Sequence, residues 1–197
     1  METSATLLPS DAIPAPVLPM WRCTTEKYLR MIDTGVFDDQ RVELIEGYLS
    51  AMAPAGPDHS GATYDFIEAF LPVAKRFKVC VQGTVVIGEG NVFDPDFALL
   101  RRKPGGYRES HARAEDILLI VEVSHSSLAR DRDAKLPIYA AAGIQEYWIA
   151  ELQQKALHVY REPAGALYKQ LQTLTGDQTI RPLACEDLEV RAGDLFG

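Results

Sequence analysis

Residues 117–123, Ile-Leu-Leu-Ile-Val-Glu-Val, are the most continuously apolar and most β-like stretch of the chain, and such a run predicts a central strand covered on both faces. Glu122 interrupts it near its C-terminal end, the usual position of a functional group in an open α/β sheet. Burying an unpaired carboxylate costs several kcal/mol unless something compensates. Glu122 is therefore either a working carboxylate or a strand-end acid paired with an arginine.

The other elements are arranged around that strand. Thr24 or Thr25 caps a short helix carrying Tyr28, Leu29 and Ile32 and closed by Gly35. Residues 41–44 and 48–52 alternate as two strands about Glu46-Gly47, a hairpin turn. A long helix runs from Asp58, with Ile67, Phe70, Leu71 and Ala74 as its apolar stripe, basic residues at its end and Pro72 as a point of kinking. Residues 79–87 and 92–100 read as a second hairpin, its second strand interrupted by Pro95. After the central strand, Ser126 or Ser127 caps a helix carrying Leu136, Tyr139 and Ala140 and ending at Gly143, with Pro137 arguing for a break. A strand at 146–150 and an antiparallel hairpin over 156–161 and 167–174 close the chain.

A second carboxylate gives Glu122 a partner. Asp94-Pro95-Asp96 precedes the strand Phe97–Leu100, and alternation puts Asp94 and Asp96 on one side of it. Alone, Asp-Pro-Asp is a common turn; converging with Glu122, it offers the oxygen ligands that Mg²⁺ takes. Lys135 falls on the helix that returns from the central strand. It is either a solvated lysine or one that faces the carboxylates, which would raise its pKa and suit it to orienting water and stabilising phosphoryl charge.

A formal net charge of −8 is the opposite of a typical nucleic-acid binder's, although clustered carboxylates loaded with cations reverse the local field. The one basic stretch, Arg101-Arg102-Lys103 through Arg108 and Arg113, is either a phosphate-attracting surface or a solvated loop. Cys23, Cys80 and Cys185 are too scattered for a redox pair. With no basic leader at Met1 and no apolar run of about eighteen residues, a cytoplasmic protein with no membrane partner is expected. Length and apolar content suit one domain over 21–197, preceded by a flexible proline-rich arm over 1–20 that carries Pro9, Pro14, Pro16 and Pro19. The apolar strands near the C-terminus suit a homodimer.

Glu43-Leu44-Ile45-Glu46-Gly47, His59, Pro95-Asp96, Val121-Glu122-Val123-Ser124, Lys135, Tyr139 and the string from Ala142 to Trp148 occur in an order and spacing that resembles the Uma-two family of restriction-endonuclease-like proteins. The resemblance runs from about residue 24 to the C-terminus. It implies the PD-(D/E)xK nuclease superfamily and its α/β (α+β) fold: a mixed β-sheet flanked by helices, here with an N-terminal hairpin and a C-terminal antiparallel hairpin. Position by position, it makes Asp96 and Glu122 ligands of Mg²⁺ or Mn²⁺. Ser124 stands where the superfamily pattern has its lysine, and the family moves that lysine to the following helix, at Lys135. Glu43 matches an upstream family acid, either an extra carboxylate for a second metal or a water, or a polar strand residue. His59 matches a family histidine, in a capping, packing or accessory role. His125 departs from the pattern and either tunes metal affinity beside Glu122 or does nothing. The implied activity is metal-dependent hydrolysis of DNA phosphodiesters. The alternative is a catalytically silent binding or scaffold module on the same fold.

Overall fold

The computed structural model describes residues 21–197, so the arm expected over 1–20 lies outside the described residues. Helix α1 (Thr25–Asp33) starts where its cap predicts: the Thr24 hydroxyl accepts the Lys27 N–H at 3.3 Å, satisfying a first-turn donor. The hairpin follows as antiparallel β1 (Val42–Ile45) and β2 (Tyr48–Ala51), with Glu46 and Gly47 in the turn at φ 49° and 82°. Two successive positive φ values make the turn that matches strand twist. Gly47 is constrained further, because a Cβ there would lie 2.8 Å from the Arg22 Cβ; the Cys23 N–H donates to the Gly47 carbonyl and draws that segment onto the turn. Gly47→Ala is expected to cost about 2 kcal/mol or more in urea unfolding. A loss below roughly 0.5 kcal/mol, the scale of an ordinary surface change, would show that the turn relaxes freely.

Helix α2 (Pro57–Phe70) ends earlier than its periodicity predicts. Pro72 stops the α-helical bonding, and residues 71–73 tighten into a 3₁₀ turn. The buried stripe is therefore Ala62, Thr63, Phe66 and Phe70, while Leu71 is exposed and Lys75 and Arg76 fall beyond the helix. The strands expected over 79–87 and 92–100 are each broken, into β3 (Lys78–Cys80), β4 (Val85–Val86), β5 (Val92–Phe93) and β6 (Phe97–Leu100). β3 pairs with β6 and β4 with β5, both antiparallel, so the expected hairpin exists but bends from one sheet into another. The bend falls at Gly83, where a Cβ would meet the Cys80 Sγ at 2.5 Å, and at Pro95, which has no N–H for a ladder. Asp94 and Asp96 lie in this bend, so alternation does not align them: Asp94 accepts the Thr84 hydroxyl, and Asp96 turns toward His59.

β7 (Ala112–Arg113) completes a first sheet of order β2-β1-β5-β4-β7. β8 (Ile117–Ser124) is the central strand. The chain then forms one helical run, α3 (Leu128–Arg130), a π turn (Asp131–Lys135) and α4 (Leu136–Ala141), and returns as β9 (Glu146–Glu151), parallel to β8. Pro137 sits two residues after the π turn, where regular bonding is already interrupted. β10 (Ala156–Ala164) and β11 (Leu167–Thr175) form the C-terminal antiparallel hairpin, and β12 (Thr179–Ile180) and β13 (Val190–Arg191) a small ribbon. The second sheet runs β11-β10-β9-β8-β6-β3 and is mixed.

Two apolar layers cover this sheet. On one face Phe66 and Phe70 of α2 pack with Leu119, Val121, Val123 and Trp148; on the other Leu136 and Tyr139 of α4 pack with Ile120, Tyr147 and Ile149. Leu119, Val121 and Val123 of β8 thus face α2, and alternation turns Glu122, with Ile120 and Ser124, toward the helix that carries Lys135. No helix of the described residues is long and apolar enough to cross a membrane.

Candidate active site

Glu122 lies at the C-terminal end of β8, beneath the returning helical run. The π turn places Asp131 and Lys135, four residues apart, both on the buried side, the short-range irregularity that often marks a functional position. Lys135 Nζ donates to Glu122 Oε1 at 3.0 Å and to Glu43 Oε1 at 2.9 Å, with Asp131 Oδ1 at 4.0 Å. Glu43 reaches this point from the first sheet and also accepts the Asp94 N–H; its Oε2 is sealed and without a hydrogen-bond partner among the described residues. Tyr139, one turn beyond Lys135, donates its hydroxyl to the same Glu122 Oε1 at 2.9 Å.

Asp96 comes from the bend between the sheets. Its Oδ2 accepts the Val123 N–H at 2.9 Å and lies 3.1 Å from His59 Nε2; a carboxylate only accepts, so Nε2 carries the proton. The two carboxylates therefore share one pattern. Each has one oxygen fixed by two donors, while the other, Asp96 Oδ1 or Glu122 Oε2, has no hydrogen-bond partner among the described residues and is not sealed from solvent. Both residues line a cleft of about 380 Å³, with His59, Val123, His125, Asp131 and Lys135.

The electrostatics follow from crowding acids around one cation. Burial pushes Glu122 well above the ordinary carboxylate range; Lys135 opposes this, and Asp131, Asp96 and Glu43 reinforce it. Burial alone would depress the Lys135 ammonium, but Glu122, Glu43 and Asp131 outweigh it and hold the pKa above the ordinary lysine range. The hydrogen bond to Asp96 raises His59 against burial. Excess buried negative charge of this kind is what a bound cation neutralises.

Among the described residues, no three His, Cys, Asp or Glu side chains converge as a ready-made metal cage. Two carboxylates with one free oxygen each fit an ion that keeps several waters and completes its shell with substrate oxygens, as Mg²⁺ does. The structure thus brings Asp96, Glu122, Lys135, Glu43 and His59 together, with different exposures. Glu43 stands behind Lys135 and does not line the cleft, His125 is exposed at the cleft, and Ser124 is fully buried, donating to Asp131 Oδ2 at 2.6 Å.

Two groups escaped sequence reasoning. Asp131 accepts both the Ser124 and Ser127 hydroxyls, and its i, i+4 spacing to Ser127 and Lys135 was the available signal. The Tyr139 hydroxyl belongs to a residue that reads as core. The basic loop lies elsewhere. Arg101 N–H bonds the Asp116 carbonyl beside the Leu100–Ile117 pairing, at the start of β8, which puts Glu122 about 17 Å further along the strand. Its first three cations are engaged within the protein: Arg101 on the Glu115 carbonyl, Arg102 on that of Ala74 and Lys103 on Asp116.

A family model described as "Uma2: Putative restriction endonuclease" matches residues 25–193. Among solved structures, the crystal structure of "a putative nuclease belonging to DUF820" from Anabaena variabilis ATCC 29413 aligns with a TM-score of 0.71 at 16% identity, covering 90% of this chain and 98% of that one. At that identity the likeness is one of fold. None of the curated proteins compared with the chain matches it.

Proposed function

The chain belongs to the Uma2 family, described as "Putative restriction endonuclease", and from that premise we propose that it is a divalent-metal-dependent endonuclease hydrolysing phosphodiester bonds in DNA. The observation that carries this proposal is the shared pattern of Asp96 and Glu122, each with one oxygen held by two donors and the other open to the same cleft. Asp96 and Glu122 would hold Mg²⁺ or Mn²⁺, which supplies Lewis-acid polarisation of the phosphate and a more acidic water.

The chain's own groups prepare that chemistry. His59 and the Val123 N–H fix Asp96; Lys135 and Tyr139 fix Glu122, so neither carboxylate reorganises when substrate arrives. Lys135, held charged by its acidic neighbours, serves as a fixed positive charge that orients water and stabilises the phosphoryl oxygens. A lysine so held is no general base. Glu43, sealed behind it, positions the ammonium. Residues 21–197 act as one endonuclease-like domain here, because Glu43 from one sheet and Glu122 from the other meet on the same lysine. A homodimer belongs to the same proposal, supported by β11, an edge strand among the described residues, with Leu167 and Leu171 exposed.

Purified protein given supercoiled DNA, single-stranded DNA or RNA with Mg²⁺, Mn²⁺ or chelator is expected to cleave DNA only with metal, and Asp96→Asn to lose both cleavage and metal binding. Light scattering reads the dimer in the same samples. The net charge of −8 favours the rival reading, a silent binding module. Wild type that binds metal yet cleaves nothing above the Asp96→Asn background decides for that module.

A further inference from the structure

With the basic loop at the far end of β8, the cleft needs another source of attraction for a polyanion. Two arginines line it, Arg41 just before β1 and Arg130 in α3. Arg130 is half-buried, and its Nε is sealed without a hydrogen-bond partner among the described residues. Leaving such a donor unmet is costly; its two Nη nitrogens, also without a hydrogen-bond partner among the described residues, are not sealed and stay open to an anion in the cleft. Arg41 is 4.0 Å from Asp94 Oδ2, beyond hydrogen-bond length, and its side chain is 39% exposed. Neither guanidinium is hydrogen-bonded to the carboxylates of the cleft, whose fixed oxygens are taken by His59, Val123, Lys135, Tyr139, Ser124 and Ser127.

We infer that Arg41 and Arg130 are the phosphate-gripping residues of this site, holding backbone phosphates of a polynucleotide laid across the cleft over Asp96 and Glu122; this rests on the nuclease reading above. The guanidinium fork matches two phosphate oxygens at once, and it reaches the cleft from two different elements, the hairpin and the returning helix. Contacts of this kind set register and affinity and carry no sequence information, so binding is expected to be indifferent to base sequence.

The test compares wild type, Arg41→Gln, Arg130→Gln and, as a control in the remote loop, Arg102→Gln. Each is titrated with a 20-base-pair duplex in chelator from about 50 to 200 mM salt, a range over which phosphate contacts dominate. Each cleft variant is expected to bind roughly tenfold more weakly and to lower the logarithmic salt slope by about one, with the control unchanged. Inorganic phosphate, followed by ³¹P line broadening, is the second probe. If duplex binds and the cleft variants match wild type, or the control falls with them, the grip is overturned and the nuclease reading stands. If phosphate binds through Arg41 and Arg130 but no duplex binds, the anion grip stands and the polynucleotide reading falls. If wild type binds neither probe, both fall.

Discussion

Lys135→Met is expected to destabilise the metal-free protein by about 3–5 kcal/mol at pH 8, the range for removing one partner of a buried ion pair, and to abolish cleavage. Lys135 is 1% exposed and answers Glu43, Glu122 and Asp131 together. Methionine fills much of the volume, so the loss comes from stranded negative charge and only slightly from a cavity. The pH dependence identifies the cause. Glu122 is already raised by burial against the pull of Lys135, and losing the lysine raises it further. A carboxyl whose folded pKa exceeds its unfolded value binds protons more tightly when folded, so stability recovers as pH falls toward the ordinary carboxylate range. The deficit should therefore shrink between pH 8 and pH 5.5 in urea titrations. A loss below about 1 kcal/mol at pH 8 would mean that this cluster is worth no more than surface ion pairs.

How much of this was legible in the sequence varies with how local the signal is. The cap at Thr24, the Glu46-Gly47 turn and the strand 117–123 rest on neighbours in the chain, and they form as their residues predict. The strands over 79–87 and 92–100 do not, because the choice to bend is made by packing two sheets, and Gly83 and Pro95 only permit it. Alternation then fails for Asp94 and Asp96, since it presumes an unbroken strand. In the site, an acid inside an apolar strand singled out Glu122. What it bonds was not legible. The Glu43–Lys135 contact joins residues 92 apart, and no spacing rule reaches that far. Nor could composition tell that Arg101, Arg102 and Lys103 would be drawn onto the Glu115 carbonyl, the Ala74 carbonyl and Asp116, leaving Arg41 and Arg130 at the cleft.

Glu122→Gln separates stability from function most sharply. The amide oxygen keeps the bonds from Lys135 and Tyr139, while the amide nitrogen takes the place of the open oxygen and cannot ligate a hard cation. Cleavage is expected to fall about a thousandfold or more, the equivalent of several kcal/mol of lost metal stabilisation. Metal-free stability at pH 8 is expected to hold or rise, because a raised carboxyl is a charge that the fold bears at a cost. In the wild type, the folded state keeps a proton on Glu122 that the unfolded chain has released. Metal-free stability therefore falls as pH rises from the ordinary carboxylate range through the raised value, and glutamine removes that slope. Mg²⁺ should raise the wild-type melting temperature most where Glu122 is ionised, and leave Glu122→Gln unmoved. Equal Mg²⁺ stabilisation of both proteins, or cleavage within about tenfold of wild type, would take Glu122 out of the metal site. A fold that gains stability on losing this charge holds the carboxylate in place against its own thermodynamic interest, and perturbed groups kept in a cleft on those terms are where chemistry is found.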